Sequence, residues 1–235
     1  MAIYKIADFI VELKNKYDYT DRQCRGYRTE DNRVPDFSVS VTEDEIEKEL
    51  SVNEISDRGY AESVCLYRRL CFEILSRNAF LLHAAVVEVD GRGYAFLARS
   101  GVGKSTHIRL WKELLGDKLT IVNGDKPIVR LIDGKFYAYG TPWCGKEKLQ
   151  TNTRTVLNAL CFIERSDKNF IEPQKTADTV GKILKQVLLP TDAQRAEITL
   201  DLLDKLVLQT PAFCMHCNIS PEAAEVCYNA LKRSK

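Results

Sequence analysis

Residues 81–106 read LLHAAVVEVDGRGYAFLARSGVGKST, and this stretch decides the fold. Its last nine residues match the phosphate-loop pattern of a small residue, four free positions and Gly-Lys-Ser, with Ala98 where glycine is more usual. In such a loop, glycines let the backbone N–H groups turn inward, the lysine reaches the β and γ phosphates, and the serine hydroxyl binds Mg²⁺. The predicted nucleotide-binding residues are Ser100, Gly101, Val102, Gly103, Lys104, Ser105 and Thr106.

The flanking sequence provides the context that this motif requires. Asp90-Gly91 separates two apolar segments and is a dipeptide typical of a tight hairpin turn. The following segment THIRLWKELLG has apolar residues at helical spacing and stops at Gly116, a natural helix C-cap. The pattern therefore predicts a strand, the loop and a helix, whose N-terminus adds partial positive charge to a phosphate site.

A second chemical group follows at the end of the next buried strand. Asp125, in IVNGDKPIV, lies 21 positions after Lys104, which leaves room for one helix and one turn. We expect its strand to neighbour the loop strand and its carboxylate to face the γ phosphate. This carboxylate could orient or deprotonate a nucleophile as a base, or it could join Ser105 as an Mg²⁺ ligand; the sequence leaves both roles open.

The rest of the chain predicts an α/β protein with a mixed sheet and a phosphate-loop core, preceded by a small N-terminal α+β appendage. We assign residues 1–58 to the appendage and residues 59–235 to the core domain, which begins with a helix over 59–78. Asp133-Gly134 predicts a second hairpin. Further patterns predict a buried strand over 156–164, helices over 175–188 and 192–207, a strand over 206–217, and a last helix capped by Ser220.

Composition limits the classes of partner. The net charge is +1, so no strong field favours nucleic acid or an anionic membrane. No apolar run approaches the ~20 residues that span a bilayer, and the charged N-terminus is unlike a signal peptide, so we expect a cytoplasmic protein. The eight cysteines lie mostly in apolar segments, which is typical of reduced, buried thiols. The CMHC segment at 214–217 has C-x-x-C spacing, but it alternates like a strand and lacks a second ligand pair.

The span LLHAAVVEVDGRGYAFLARSGVGKSTHIRLW, followed by LTIVNGDKPIV, resembles the catalytic domain of HPr kinase/phosphorylase and related serine kinases, and more distantly the ATP-dependent phosphoenolpyruvate carboxykinases. The resemblance covers roughly residues 80–210. It implies ATP and Mg²⁺ as cofactors, His83, Lys104 and Asp125 as catalytic residues, and Ser105 and Asp125 as metal ligands. It also implies that a serine hydroxyl accepts the phosphoryl group, and that the protein can form homo-oligomers.

Two positions depart from the family pattern. Thr106 stands where the kinase usually has glutamate, and Gly124 replaces the first of two paired aspartates. The glycine-rich, arginine-containing segment that engages HPr is also absent from the sequence. The resemblance therefore implies a kinase acting on a hydroxyl of another peptide, protein or metabolite. The alternative is a nucleotide-gated binding module without phosphoryl transfer.

Some side chains have two interpretations. His83 lies in an apolar segment, where it could be a buried, hydrogen-bonded side chain or a functional group. Trp143 lies in a predicted loop and either contacts substrate or plugs the edge of the core. Lys146 and Arg154 are candidate cations for the substrate or phosphate.

Overall fold

The hairpin at Asp90-Gly91 forms as the sequence predicts. Asp90 and Gly91 both have positive φ angles, 51° and 76°, which is the conformation that a two-residue hairpin turn requires. In this computed structural model, which describes residues 2–31 and 33–234, the chain divides into two compact units, Met1–Arg77 and Asn78–Lys235. The helix expected over 59–78 belongs to the first unit, so the division falls after Arg77 and not after residue 58.

The first unit combines a three-stranded sheet with three helices. Its strands are β1 (Ala2–Ile6), β2 (Phe9–Lys14) and β3 (Phe37–Ser40), and its helices are α1 (Asp18–Gln23), α2 (Glu43–Val52) and α3 (Arg58–Glu73). β2 pairs antiparallel with β1 and parallel with β3. Helix α2 begins with the predicted capping box, in which the Thr42 side chain accepts from the Glu45 backbone N–H and the Glu45 side chain accepts from that of Thr42. The expected α+β character of the N-terminal part is confirmed.

The second unit is built on a large mixed sheet. Its strands are β4 (Ala79–Leu81), β5 (Ala85–Val89), β6 (Arg92–Leu97), β7 (Leu119–Asn123), β8 (Ile128–Ile132), β9 (Lys135–Tyr139), β10 (Arg154–Arg165), β11 (Phe170–Pro173) and β12 (Ala212–Cys217). The strand order is β4-β8-β9-β10-β6-β5-β7, and β12 pairs with both β10 and β11. Its helices are α4 (Lys104–Leu115), α5 (Thr176–Ile183), α6 (Ala193–Gln209) and α7 (Pro221–Leu231). The predicted mixed α/β class is confirmed.

The parallel strands β6, β10 and β12 bring their C-terminal ends to one edge of this sheet. Leu97 lies opposite Phe162, and Arg165 lies opposite Cys217. Strand β5 runs antiparallel to both β6 and β7, so its N-terminal end and the C-terminal end of β7 reach the same edge. This edge therefore collects the phosphate loop and the segments that follow or precede its neighbours.

An aromatic cluster fixes α4 against the sheet. The Trp111 ring, fully buried, lies 5.1 Å from Phe96 and 5.5 Å from Tyr228 between ring centroids. His107 is buried beside it and accepts a hydrogen bond from Trp111 Nε1 at 3.1 Å. Burial lowers the pKa of His107 to about 4, so this histidine packs as a neutral side chain.

One predicted boundary and one predicted strand neighbour are wrong. Residues 206–209 extend α6 and do not begin a strand, because Leu206 and Val207 continue its buried stripe and Pro211 then ends the helix. The strand that leads to Asp125 was expected beside the loop strand β6. It lies one strand further along the sheet, since β7 pairs with β5 and not with β6.

Among the described residues, none of the helices combines the length and apolarity needed to cross a membrane.

Candidate functional site

The phosphate-loop sequence connects β6 to α4 as the motif requires. Gly101 and Gly103 have φ angles of 78° and 130°, which other residues rarely adopt, and α4 begins at Lys104. The N–H groups of the first helical turn have no intrahelical acceptors, and the helix dipole adds partial positive charge there. Ser105 and Thr106 lie in this first turn, so their hydroxyl groups are near the same helix end.

Lys104 is the buried cation of the loop. It is 8% exposed, and its ammonium group donates to the carbonyl oxygen of Ala98 at 3.0 Å. Burial lowers the pKa of Lys104 below its usual value, against the opposing charge of Asp125. Its Nζ also lies 3.1 Å from His83 Nε2.

His83 joins Lys104 to the carboxylate predicted from the sequence. Its Nε2 lies 3.2 Å from Asp125 Oδ1. The residue lies in the short break between β4 and β5, and not within a continuous strand as expected from LLHAA. This break allows the His83 N–H to donate to Gln186 O and the Ala84 N–H to Asp125 O, which fixes the segment beside the loop.

Gln186 sets the orientation of the imidazole ring. With its amide nitrogen facing the loop, it lies 3.2 Å from His83 Nδ1 and 3.3 Å from the Ala98 carbonyl oxygen. A donor at Nδ1 requires the unprotonated form of that nitrogen, so the neutral ring carries its proton on Nε2 and directs it to Asp125. Gln186 comes from a 3-10 turn about 100 residues away in sequence, and no local pattern predicts this contact.

A buried polar turn holds Asp125 at the end of β7. Asn123 Oδ1 accepts from the backbone N–H groups of Asp125 at 2.9 Å and Lys126 at 2.7 Å. The Asn123 amide nitrogen donates to the Thr141 carbonyl oxygen at 3.1 Å. The sequence signal for this turn is the asparagine directly before Gly-Asp, because asparagine side chains commonly bond to backbone two residues on.

Two neighbours keep the Asp125 carboxylate ionised. Burial raises the pKa of Asp125. The hydrogen bond from His83 and the charge of Lys126, whose Nζ lies 3.2 Å from Oδ2, together outweigh burial and lower the pKa to about 2. Both carboxylate oxygens thus have a partner. At neutral pH, Asp125 is a fully charged hydrogen-bond acceptor of low basicity.

The loop after β9 packs closely against the turn that carries Asp125. A Cβ atom at Gly124 would lie 3.2 Å from Leu149 O and 3.3 Å from Leu149 Cβ, so the position has little room for a side chain. A Cβ at Gly145 would lie 3.0 Å from Asp125 Cβ. Residues 144–149 therefore pack directly over the turn that carries Asp125.

The three candidate substrate residues do not lie together. Trp143 is 5% exposed, so its ring is buried, while Lys146 is exposed in the loop that covers Asp125. Arg154 begins β10, eight residues before the position that pairs with Leu97, which corresponds to roughly 26 Å of extended chain. Its guanidinium group bonds to Tyr139 and lies over the Tyr137 ring. The fold thus places Arg154 far from the phosphate loop.

The C-x-x-C segment spans both faces of β12. Cys214 lies beside Lys182, whose Nζ is 3.7 Å from its Sγ, whereas Cys217 lies in the core with Cys161 and Cys227. Burial raises the pKa of Cys214 and of Cys217 to about 11. Because the two thiols point to opposite faces of the strand, they do not form a C-x-x-C metal or redox pair.

Arg165 is a loop contact that sequence reasoning missed. At the end of β10, its Nε donates to Val102 O at 3.1 Å and its guanidinium group also donates to Gly101 O. The parallel pairing of β10 with β6 produces this contact, which joins residues more than 60 positions apart. The sequence signal for this contact is limited to an arginine at the end of a buried strand.

No protein-family model matches this chain, and no curated protein matches its sequence. Among solved structures, it is similar to the Hpr(Ser) kinase/phosphatase from Coxiella burnetii, with a TM-score of 0.38 and 9% sequence identity. The match covers 64% of this chain and 95% of that chain. At this level of similarity, the roles of individual residues depend on their geometry in this chain alone.

Proposed function

We propose that this protein is an ATP- and Mg²⁺-dependent kinase that transfers the γ-phosphate to a hydroxyl group, such as that of a serine in a peptide, a small protein or a metabolite. The observation that carries the proposal is that His83 Nε2 lies 3.1 Å from Lys104 Nζ and 3.2 Å from Asp125 Oδ1, which brings the cation, the imidazole and the carboxylate together beside the phosphate loop. Phosphoryl transfer needs an anchored donor, cations around the transferring group and a group that orients the nucleophile. These side chains supply all three.

The loop and Lys104 act on the donor. The N–H groups at the start of α4 and the Lys104 ammonium group bind the phosphate oxygens, and their positive charge offsets charge that develops on the leaving ADP. A bound triphosphate would raise the pKa of Lys104 and keep it protonated, despite the opposing effect of burial.

Asp125 acts on the acceptor. Its ionised carboxylate accepts a hydrogen bond from the acceptor hydroxyl and directs the oxygen toward the γ phosphorus. As the new P–O bond forms and the bond to ADP breaks, the hydroxyl proton passes to the carboxylate. With a pKa of about 2, Asp125 is a weak base, so this proton leaves late in a loose transition state. His83 positions the carboxylate through Nε2.

Magnesium fits the oxygen donors of this site. The Ser105 hydroxyl and the phosphates are hard ligands of the kind that Mg²⁺ prefers, and the bound ion would neutralise phosphate charge. We assign Ser105 as the protein ligand of Mg²⁺. Each oxygen of Asp125 has one partner and keeps a lone pair, and we assign this carboxylate to the acceptor hydroxyl.

The test combines calorimetric binding of Mg-ATP with ADP release across a panel of peptide, protein and metabolite hydroxyl acceptors. Lys104→Ala should weaken ATP binding about tenfold or more. Asp125→Asn should retain binding and lower turnover by about 10²- to 10⁴-fold. Lys118→Ala and Asp133→Asn, at an exposed lysine after α4 and at a hairpin tip, serve as matched controls and should change neither quantity.

Two outcomes would contradict the kinase proposal. ATP binding without phosphorylation of any acceptor, and without an effect of Asp125→Asn on ADP release, would favour a nucleotide-gated binding module. If the wild-type protein did not bind ATP, ATP would not be the phosphate donor and the kinase proposal would be wrong.

A further inference from the structure

Three side chains of metal-binding type lie together on one face of the sheet, where β10 pairs with β12. Cys214 and His216 are two positions apart on β12, so their side chains point to the same face. Glu164 of β10 lies directly opposite His216 in the parallel pairing. One ligand atom from each of the three residues lies within 4.8 Å of the other two. The strand pairing therefore brings a sulfur, a nitrogen and an oxygen donor together.

This set of donor atoms selects the kind of metal. A thiolate, an imidazole nitrogen and a carboxylate oxygen are ligands of Zn²⁺, whereas Mg²⁺ and Ca²⁺ prefer oxygen ligands alone. In a tetrahedral zinc site the ligand atoms lie about 3.5 Å from one another. Glu164 Oε2 lies 3.8 Å from His216 Nδ1. Each of the three ligand atoms therefore needs to move by about 1 Å or less to reach zinc geometry.

The surroundings of His216 direct its Nδ1 toward the other two ligands. Its Nε2 is shielded from solvent and makes no hydrogen bond within the described part of the chain, and Glu172 Oε1 lies 3.4 Å from it. The Phe170 ring stacks on the imidazole at 4.4 Å between centroids, which fixes the plane of the imidazole. A carboxylate facing Nε2 favours the proton on that nitrogen, so the lone pair of Nδ1 faces Glu164. Histidines that bind metals commonly have such an outer carboxylate.

A cation of the protein itself lies among these ligands. The Lys182 ammonium group donates to Glu164 Oε1 at 2.7 Å and to Gln174 Oε1 at 2.8 Å, and it lies 3.7 Å from Cys214 Sγ. The Lys182 side chain comes from α5 and is 35% exposed, so it can turn toward solvent. The position therefore attracts positive charge, and a metal ion that binds there displaces the ammonium group.

We propose that Glu164, Cys214 and His216 form a zinc site. The Lys182 ammonium group fills this position when zinc is absent. Three protein ligands leave the fourth tetrahedral position open to water. Burial raises the pKa of the Cys214 thiol to about 11, so zinc binding at neutral pH releases the thiol proton to solvent and forms a zinc-bound thiolate. The site uses none of the side chains of the proposed kinase reaction and does not depend on that reaction.

Titration of the full chain with Zn²⁺ by calorimetry and with Co²⁺ by absorption spectroscopy tests the site. The wild type should bind zinc and release a proton, which calorimetry in two buffers of different ionisation enthalpy measures. Co²⁺ should produce the near-ultraviolet absorption of a cobalt–thiolate bond. Cys214→Ser should weaken zinc binding about 100-fold and abolish this absorption. Cys217→Ser, on the opposite face of the same strand, is the matched control and should retain both.

Two further variants change the charge at the site without altering the core. Glu164→Gln, at an exposed position, should weaken zinc binding about tenfold. Lys182→Met removes the competing ammonium group and should tighten zinc binding about tenfold. Lys185→Met, at an exposed position just after α5, is the matched control and should leave zinc binding unchanged. Circular dichroism of each variant checks that it is folded, and if Cys214→Ser is not, Glu164→Gln and Lys182→Met decide.

Three results would overturn the zinc site. The first is a wild-type protein that binds no zinc. The second is zinc binding that folded Cys214→Ser and Glu164→Gln leave unchanged, because the ion would then lie at other side chains. The third is weaker zinc binding by Lys182→Met, because an ion at the assigned position gains from the removal of the ammonium group.

Discussion

At the scale of single residues, the site depends on how Asp125 is kept charged. Its burial alone would favour the neutral acid, and the bond from His83 together with the charge of Lys126 reverses that preference. Because the Gln186 amide nitrogen donates a hydrogen bond to His83 Nδ1, the ring carries its proton on Nε2 and directs it to the Asp125 carboxylate. A charged, oriented carboxylate next to a buried lysine is a costly arrangement in a protein interior, which favours a functional role over a packing role.

The low pKa of Asp125 predicts a pH-dependent contribution to stability. Its pKa in the folded protein lies below the ordinary value of 3.8, so the ionised carboxylate stabilises the folded state above about pH 4, and this stabilisation disappears as the pH falls through about 2. Asp125→Asn should lower the free energy of unfolding by about 1–2 kcal/mol at pH 6. Urea unfolding at pH 6, 4 and 3 would measure it, and a difference from wild type that does not shrink toward pH 3 would contradict the assignment.

At the scale of elements, β10 connects parts of the sheet that differ in function. Its first residues pair with β9, and its later residues pair with β6 on one side and β12 on the other. The strand thereby positions Arg165 at the phosphate loop and aligns the ends of β6 and β12. An element that pairs with three others has its geometry set by all of them.

Arg165 is expected to order the phosphate loop. Arg165→Ala removes the donors to Gly101 O and Val102 O, so the amides of residues 101–103 should exchange hydrogen faster and Mg-ATP binding should weaken about threefold or more. Arg165→Lys keeps the charge but loses the planar fork, and it should restore only part of the protection. Hydrogen exchange by mass spectrometry provides the measurement, with Lys168→Ala as an exposed control; unchanged exchange in the alanine variant would contradict this role.

The pairing of β6 with β10 leaves no space for a side chain at Gly93. A Cβ there would overlap Val156 O and the Thr155 side chain, so Gly93→Ala should reduce the free energy of unfolding by about 2 kcal/mol or more. Gly181→Ala, in α5, meets no atom within 4 Å and should instead stabilise the protein by about 0.5–1 kcal/mol. Thermal unfolding of both variants tests the packing, and similar effects of the two changes would refute it.

At the scale of the whole molecule, the chain separates into two units, and the candidate site belongs to one of them. The side chains of the candidate site, His83, Lys104, Asp125 and Gln186, all belong to Asn78–Lys235. The first unit has its own sheet and its own buried side chains, among them Tyr4, Ile10 and Leu66. From this division we predict that the proposed phosphate binding needs only the second unit.

A fragment of residues 78–235 should fold and bind Mg-ATP with an affinity within about threefold of that of the full chain. Circular dichroism, a cooperative thermal transition and calorimetry would test the fragment, and Lys104→Ala within it should abolish binding. A fragment that folds cooperatively but does not bind would show that the first unit contributes to the site.

Sequence patterns predicted the turns and helix starts, because contacts between residues close together in the chain stabilise these elements. Asp90-Gly91 and Asp133-Gly134 specify turns because their positive φ angles suit glycine and aspartate, and Thr42 with Glu45 specifies a helix start because both bonds form within one turn. The same holds for the loop at Gly101 and Gly103. The predicted helix over 192–207 and the predicted strand over 206–217 overlap, and there the local pattern misplaced the boundary, since α6 continues to Gln209.

The sequence by itself determined the turns, the helix caps, the phosphate loop and the identity of Asp125 as the nearby carboxylate, since these depend on residues close together in the chain. Only the tertiary structure decided that β5 lies between β6 and β7, that His83 bridges Lys104 and Asp125, and that Gln186 and Arg165 support the site. It also placed Arg154 at the far end of β10. The physical reason is that strand pairing and side-chain contacts across a sheet are long-range, so their partners are fixed by the packing of the whole unit and not by sequence spacing.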